Sequence, residues 1–532
     1  MRYNILNDCR GMYESEVFET IMDQRGISDP DRFLNPTEDD LLPLTSMDRI
    51  LEASACLERA IYGDKEIAVW FDTDTDGITA GAIMTRYLLG AFGIHARTII
   101  NSGKQHGLKN QDLSQLNDVC LLIIVDSLDS TAEQYKTLSE QGIDIIILDH
   151  HAIKENIPYD DYAILVSSQR NYENPQLSGA GVVWKFCKLL DEVFNNDYAD
   201  ELTDLAACGL IADMMDMTIP ENRYIVSKGL EKIRTLAIKK IVGSFEFNST
   251  AIAFSIAPLI NAANRLNENH AAMMAFLSDD NKEVLNYVKQ LKKCKERQNE
   301  EVQRLMPDVI QQCEEQKENK VISVHIDTPY GISGLIGNKL LEKYKRPLFV
   351  VKDIDDSYSG SMRAVGVKDF RTICNESELA QADGHELASG IVIQKENYDK
   401  FLAYIKQNLP ELDLNIVKNV DVQLSIADVN RQLIDYIKKI DKISGTGFKP
   451  VSVYIDDIED YTIGQMSDYK HLVVKPNDYL LVIKWNFDGS FDEMEDHSLM
   501  GDCLMAVGEL DSGFLGRKYV LKLVCDELEE VI

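Results

Sequence analysis

IAVWFDTDTDG, residues 67–77, is the stretch that fixes the fold class. Its first five residues, Ile67 to Phe71, are apolar or aromatic, a run long enough for a strand buried on both faces. The run stops at Asp72, Asp74 and Asp76, followed by Gly77. Three like charges on one short loop repel one another, so an ordered loop of this composition calls for a counter-charge, most simply a divalent metal. An exposed acidic turn is the alternative that this stretch alone leaves open. A calcium loop of the EF-hand kind is excluded, because its twelfth position would be Ile83 rather than Glu and a strand precedes it.

The pattern recurs down the chain. LLIIV (121–125) ends at Asp126, IDIIIL (143–148) ends at Asp149, His150 and His151, and LAACGLIA (205–212) ends at Asp213. Segments with helical periodicity, 78–92, 131–141 and 182–194, lie between these runs. Alternating strand and helix implies a mostly parallel sheet covered on both faces. All strand carboxyl ends then share one edge, where open α/β folds place their ligands, so acids distant in sequence converge in space. A single strand-end Asp is more often a helix N-cap; four such ends in agreement point to a site.

The chain has 532 residues, material for three or four domains, and a formal charge of −33. That charge disfavours adhesion to polyanions over most of the surface, so any nucleic-acid track must be local. Ten cysteines without a Cys-x-x-Cys fit the reduced thiols of a cytosolic protein. Residues 1–10 are polar rather than a signal peptide, and no apolar run approaches the ~18 residues of a membrane span. The expected location is cytoplasmic, with no membrane partner.

Residues 1–60 read as a helical N-terminal segment and 61–280 as the strand–helix unit. A connecting helix over 281–318, interrupted near Pro307, would bury Val284, Leu285, Val288, Leu291, Val302 and Leu305. Its opposite face carries Lys289, Lys292, Lys293, Lys295, Arg297 and Arg304, most simply a solvated face. A smaller α/β unit is expected over 319–410, where Gly331, Gly334 and Gly337 open a helix and Ser361, Arg363 and His385 supply possible anion contacts. After a linker over 411–450, five short alternating runs in 451–532 predict a small closed or nearly closed β-barrel. That last stretch carries 6 Lys or Arg against 18 Asp or Glu, an odd balance for gripping a phosphate backbone.

DTDTDG (72–77), VDSLDS (125–130), LDHH (148–151), SGAGVVWKF (178–186) and ADMMDM (212–217), in this order, resemble the successive motifs of the DHH phosphoesterase superfamily. DQRGISDPDRFLNP (23–36), PENR (220–223), APLINAANRL (257–266), GLIGNKLLEKYKRP (334–347), GSMR (360–363) and DGHELASG (383–390) are similar to its RecJ branch, the single-strand-specific 5′-to-3′ DNA exonucleases. The resemblance implies an α/β fold with a parallel-sheet DHH domain, a smaller α/β DHHA1 domain joined by a long helix, and a C-terminal OB-like β-barrel. It also implies hydrolysis of single-stranded DNA with two Mn²⁺ or Mg²⁺ ions. The ligands would be Asp72, Asp74, Asp76, Asp126, His150 and Asp213, with Asp126 as the bridge. His151 would face the scissile phosphate, and Asp149 would orient an imidazole. Ser178, Gly179, Asn261, Arg265, Gly360, Ser361, Arg363 and His385 would contact substrate, and Tyr469, Trp485, Phe487 and Phe514 would offer stacking surfaces on the barrel. The chain departs from the branch at NSGKQHGL (101–108), where an Arg and a Gly-Tyr-Gly-Leu are usual, and near Leu259, where one Arg and one Gly are missing. Two other readings stay open: a phosphodiesterase for short oligonucleotides or signalling dinucleotides, and a partner-binding scaffold of a replication or repair assembly. The acidic barrel would suit a basic or DNA-binding protein as a partner beside single-stranded DNA.

Overall fold

The computed structural model describes residues 2–102, 106–414, 417–467, 470–487, 489–492, 494, 498, 502–515 and 518–530. Its first sheet has five parallel strands in the order Arg97–Ile100, Ile67–Phe71, Leu121–Val125, Asp144–Asp149, Ile164–Ser167. Phe71 pairs with Val125 and Val125 with Leu148, so Asp72, Asp126 and Asp149 leave the sheet side by side. The central strands are buried at every position, as the continuous apolar runs require. One face, carrying Val69, Phe71, Ile123 and Leu148, packs on the helices Thr75–Phe92 and Gly179–Phe194; Trp70, Ile124 and Ile147 face a second cluster with Tyr135 and Leu138.

The fourth expected strand is a helix, Thr203–Ala212. Leu205 to Ile211 are all buried, so no polar stripe marks a helical period. An apolar run wrapped on all sides reads the same in either conformation. Asp213 caps the end of this helix and reaches the strand ends from beside the sheet.

The helix Asn281–Glu314 runs unbroken through Pro307, correcting the expected interruption, and spans about 50 Å at 1.5 Å per residue. It buries Val284, Val288, Leu291, Val302 and Leu305, whereas Leu285 is exposed. Arg297 and Arg304 on its other face pair with Glu268 and Glu301. Beyond it lies a mixed sheet ordered Ala380–His385, Ala388–Gln394, Ser357–Arg363, Leu348–Ile354, Ile322–His325.

The third sheet has eight strands and reaches beyond the 451–532 interval. It recruits Arg2–Asp8, from the segment expected to be helical, and Val417–Gln423, from the expected linker. The amphipathic helix Arg431–Asp441, also in that linker, buries Leu433, Ile434, Ile437 and Ile440 in the same core. Among the described residues the edge strands Arg2–Asp8 and Thr462–Met466 do not pair with each other, so the sheet is not closed into a barrel there. Trp485 and Phe514 are exposed, Phe487 packs on Phe491, and Tyr469 lies outside the described residues. No described helix is long and apolar enough to cross a membrane.

Candidate metal centre and substrate cleft

The acids of the first sheet meet at its carboxyl edge. Asp74 caps the helix Thr75–Phe92 by accepting the Gly77 N–H at 3.0 Å. Asp76, inside that first turn, accepts N–H bonds from Gly179 at 2.7 Å and Ala180 at 3.0 Å, at the start of a neighbouring helix. Two glycines permit the approach: a Cβ on Gly179 would lie 2.6 Å from Asp126 Oδ1, and one on Gly209 would lie 2.2 Å from Asp76 Oδ1. The Gly179 N–H is thus directed at a carboxylate, not left open to a phosphate, and the Ser178 hydroxyl accepts the Gly181 N–H.

His150 Nε2 stands 3.2 Å from Asp126 Oδ1, 3.4 Å from Asp213 Oδ2 and 3.7 Å from Asp76 Oδ2. Three overlapping donor sets result: Asp72, Asp74 and Asp126; Asp126, His150 and His151; and Asp76, His150 and Asp213. Asp126 belongs to two of them, at the centre. Its backbone is left-handed at φ 54°, a costly conformation for a non-glycine residue that collects at functional sites. Its Oδ1 is buried and has no aligned hydrogen-bond donor among the described residues despite the nearby His150. A buried carboxylate oxygen without a donor is costly, and a cation there removes the cost. Carboxylate oxygens with one or two imidazoles suit Mn²⁺ or Mg²⁺, so the donor set fits such ions.

The electrostatics agree. Burial, then the charges of Asp76 and Asp74, push Asp126 well above the usual carboxylate range and Asp213 up to about 8. Burial together with Asp72 and Asp76 pushes Asp74 up to about 6. Burial lowers His150. Asp149 runs the other way: burial would raise it, but His151, 2.9 Å away through Nδ1, holds it well below the usual range. The imidazole that Asp149 orients is therefore His151, whereas His150 faces the other acids.

Two residues here were not singled out from the sequence. His106 Nδ1 lies 3.1 Å from Asp72 Oδ2, and its ring stands 4.5 Å from that of His151. Asn101 donates to Asp72 Oδ1 at 3.1 Å and to Ser127 at 2.9 Å. Asn101 follows the strand Arg97–Ile100, so it too stands at a strand's carboxyl end. That strand end carries no acid, which hid it.

Of the predicted substrate contacts, Asn261 and Arg265 lie where the first α/β unit approaches the second, and Gly360, Ser361, Arg363 and His385 lie on the second sheet. The Thr75 hydroxyl touches Asn261 Oδ1 at 3.3 Å, and Arg265, one helical turn on, donates to Gln298 of the long helix. The Gly331 N–H donates to the Arg265 carbonyl, tying in the second unit. Burial, then the charge of Arg363, lowers Arg265. Arg363 bonds Asn338 and the Met362 carbonyl, with Gly334 leaving room for it. Ser361 bonds Ser333 at 2.9 Å. Gly360 sits inside the sheet, where a Cβ would strike the Val350 carbonyl. Arg363, Ala388 and His385 are paired across three strands, which puts Arg363 and the exposed His385 on one face.

The family model described as "DHH family, N-terminal domain" matches residues 66–210. A putative SPbeta prophage-derived single-strand DNA-specific exonuclease, YorK of Bacillus subtilis, is 30% identical over 482 residues, covering 82% of this chain and 81% of that protein. The chain belongs to the RecJ-type branch of the DHH family. That membership places this RecJ-type protein among metal-dependent hydrolases, in keeping with its acidic centre. The crystal structure of RecJ in complex with Mn²⁺ from Thermus thermophilus has the same fold, with a TM-score of 0.80 over all of this chain and 80% of that one, at 21% identity. The same protein with Mg²⁺ matches at a TM-score of 0.73 and 20% identity over all of this chain and 79% of that one.

Proposed function

We propose that this RecJ-type protein is a metal-dependent exonuclease that hydrolyses single-stranded DNA from the 5′ end with two Mn²⁺ or Mg²⁺ ions. The observation that carries the reading is the convergence of Asp72, Asp74, Asp76, Asp126, His150 and Asp213 around a buried Asp126 oxygen without a donor. These residues would hold the ions, with Asp126 between them. Bound there, the ions supply an activated water and shield charge on the phosphate. The remaining steps belong to side chains. Arg265, Arg363 and Asn261 hold the DNA backbone across the cleft, with Ser361 and His385 beside them. His151, kept protonated and aligned by Asp149, donates to a non-bridging phosphate oxygen and carries its developing charge. Gly179 and Ser178 act on the acids, by placing Asp76 and giving Asp126 room. The 5′-to-3′ direction is supported by the family motifs alone. The acidic C-terminal sheet is assigned to a basic protein partner on its charge balance.

The test is digestion of single-stranded DNA labelled at either end, with Mn²⁺ or chelator, beside Asp126→Ala and a labelled dinucleotide. Stepwise Mn²⁺-dependent loss from the 5′ end, absent in the variant, is expected. Turnover of the dinucleotide alone would select a small-substrate phosphodiesterase, and no turnover at all would select a scaffold.

A further inference from the structure

The proposed function leaves His106 without a task. Its Nδ1 lies 3.1 Å from Asp72 Oδ2, and its side chain is 46% exposed. It belongs to the stretch 101–108 that departs from the branch, and it stands at the tyrosine of the usual Gly-Tyr-Gly-Leu. The fold fixes this position closely. The Gly107 N–H donates to the Ser127 hydroxyl at 2.8 Å and the Leu108 N–H to Asp129 Oδ2 at 3.0 Å, so both residues are fastened to the loop that follows Asp126. Gly107 has a left-handed backbone at φ 78°, and a Cβ there would lie 2.6 Å from the Asp129 Cα, so the approach requires glycine. Leu108 is buried and joins the apolar cluster of Trp70 and Ile124. His106 is thereby held at the edge of the acidic centre, with its ring 4.5 Å from that of His151.

The donor sets of the centre are unequal. Asp76 and Asp213 share theirs with His150, and Asp126 shares one with His150 and His151, whereas Asp72, Asp74 and Asp126 form a set of carboxylates alone. Three carboxylates do not complete an octahedral ion, and a further acid would add repulsion, so a neutral donor suits the next position. Two ligands on adjacent corners of an octahedron with bonds of about 2.1 Å stand about 3 Å apart. The 3.1 Å from His106 Nδ1 to Asp72 Oδ2 is close to that spacing, as is the 3.2 Å from His150 Nε2 to Asp126 Oδ1. Asp72 does not need His106 to hold it in place, because its Oδ1 already accepts from Asn101 at 3.1 Å.

We propose that His106 is a further metal ligand, which brings an imidazole nitrogen to the ion held by Asp72, Asp74 and Asp126. The inference rests on the reading of the centre as a two-ion site. Each ion then has an imidazole of its own, His106 for the first and His150 for the second. The added nitrogen biases the first site toward Mn²⁺ and away from Mg²⁺, a hard cation served by oxygen.

Metal titration of the full chain tests this without turnover, with free Mn²⁺ read by its electron paramagnetic resonance signal and Mg²⁺ by competition. The parent is expected to bind two Mn²⁺ ions. His106→Phe keeps a ring but no nitrogen, and His106→Gln keeps a hydrogen-bond donor for Asp72 but no imidazole. In both variants one of the two sites should weaken at least about tenfold toward Mn²⁺ and less toward Mg²⁺, with the other site nearly unchanged. Electron spin echo spectra of the Mn²⁺-loaded variants should lose one imidazole nitrogen coupling. His106 is half-exposed, so both variants are expected to fold, which circular dichroism of the metal-free proteins checks. Unchanged Mn²⁺ affinity in both variants, affinity kept in His106→Gln alone, equal weakening toward both ions, or an unaltered set of nitrogen couplings would overturn the proposal and leave the two-ion reading standing. Failure of the parent itself to bind two ions would overturn both.

Discussion

Replacing Asp149 by Asn asks whether the buried contact with His151 serves the chemistry. Asp149 Oδ1 is 2.9 Å from His151 Nδ1, and Oδ2 accepts the Leu128 N–H at 2.8 Å. Asn keeps the shape and an acceptor for Leu128, but its amide nitrogen then faces His151, so the charge-assisted bond to Nδ1 and the acceptor of the His151 N–H are both lost. Hydrogen bonds to charged groups contribute about 1.5–3 kcal/mol. At about 1.4 kcal/mol per decade, that is a fall of roughly 10- to 150-fold in kcat/KM. The pH dependence has a definite sign. Burial alone would lower the His151 imidazole, yet the charge and hydrogen bond of Asp149 outweigh it and push it up to about 10. A raised imidazole stabilises the fold fully below its ordinary value of about 6.5, and that contribution is lost as pH rises toward its folded value. Asp149, held low, contributes above the ordinary carboxylate range and loses its share only on acidification. In Asp149→Asn the His151 value drops, so the alkaline limb of activity moves to lower pH. Bound cations lower this limb in both proteins, which leaves the direction of the difference unchanged. Single-turnover release of labelled nucleotide, followed from pH 6 to 10 with circular dichroism as a check on folding, measures both effects. Activity within twofold of the parent, with the same alkaline limb, would refute the role given to the pair.

Gly179→Ala forces a methyl group to within 2.6 Å of Asp126 Oδ1, and a displacement of that order at the centre is expected to cost about 100-fold in kcat with the fold retained; Mn²⁺ titration and kinetics together check it. Because Asp126 lies well above the carboxylate range and Asp213 near 8 in the metal-free protein, Mn²⁺ uptake at pH 7 should release about one to two protons. Calorimetry in buffers of differing ionisation enthalpy reads that number, and its absence would contradict the cluster's electrostatics. The same raised carboxylates make the metal-free protein lose stability as pH rises from about 4 toward 8, whereas the Mn²⁺-loaded protein should not; melting curves with and without chelator test the contrast. Lys185→Met leaves Glu221 buried without its 2.6 Å ammonium partner, at a cost of about 3–5 kcal/mol. Tyr172 and Asn174 still donate to Glu221, so the lower end is expected in denaturant unfolding, with cleavage unaffected.

The parts legible in the sequence are those whose physics is local. Ile67–Phe71 and Leu121–Val125 announce buried parallel strands because every residue is apolar, and each strand end shows its acid at once. Leu205 to Ile211 misleads for the same reason, since a helix buried all round has no polar stripe. The strand Arg2–Asp8 is invisible because it pairs with Val417–Gln423, far along the chain, and its own residues alternate weakly. Asn101 and His106 lie in the stretch 101–108 that departs from the branch pattern, yet no acid marks that strand end as part of the site; only the parallel pairing of Arg97–Ile100 with Ile67–Phe71 brings them to Asp72. The reading of Gly179 as a phosphate donor fails to anticipate Asp76, which reaches its N–H from another helix.

We propose that Asp126 lies between two ions held by Asp72, Asp74, Asp76, His150 and Asp213, with ligands from four chain segments. Anomalous diffraction from Mn²⁺-soaked crystals measures this directly. Two peaks are expected, both within bonding distance of Asp126, one toward Asp72 and Asp74 and the other toward His150 and Asp213. A single peak, or peaks that leave Asp126 unligated, would contradict the account.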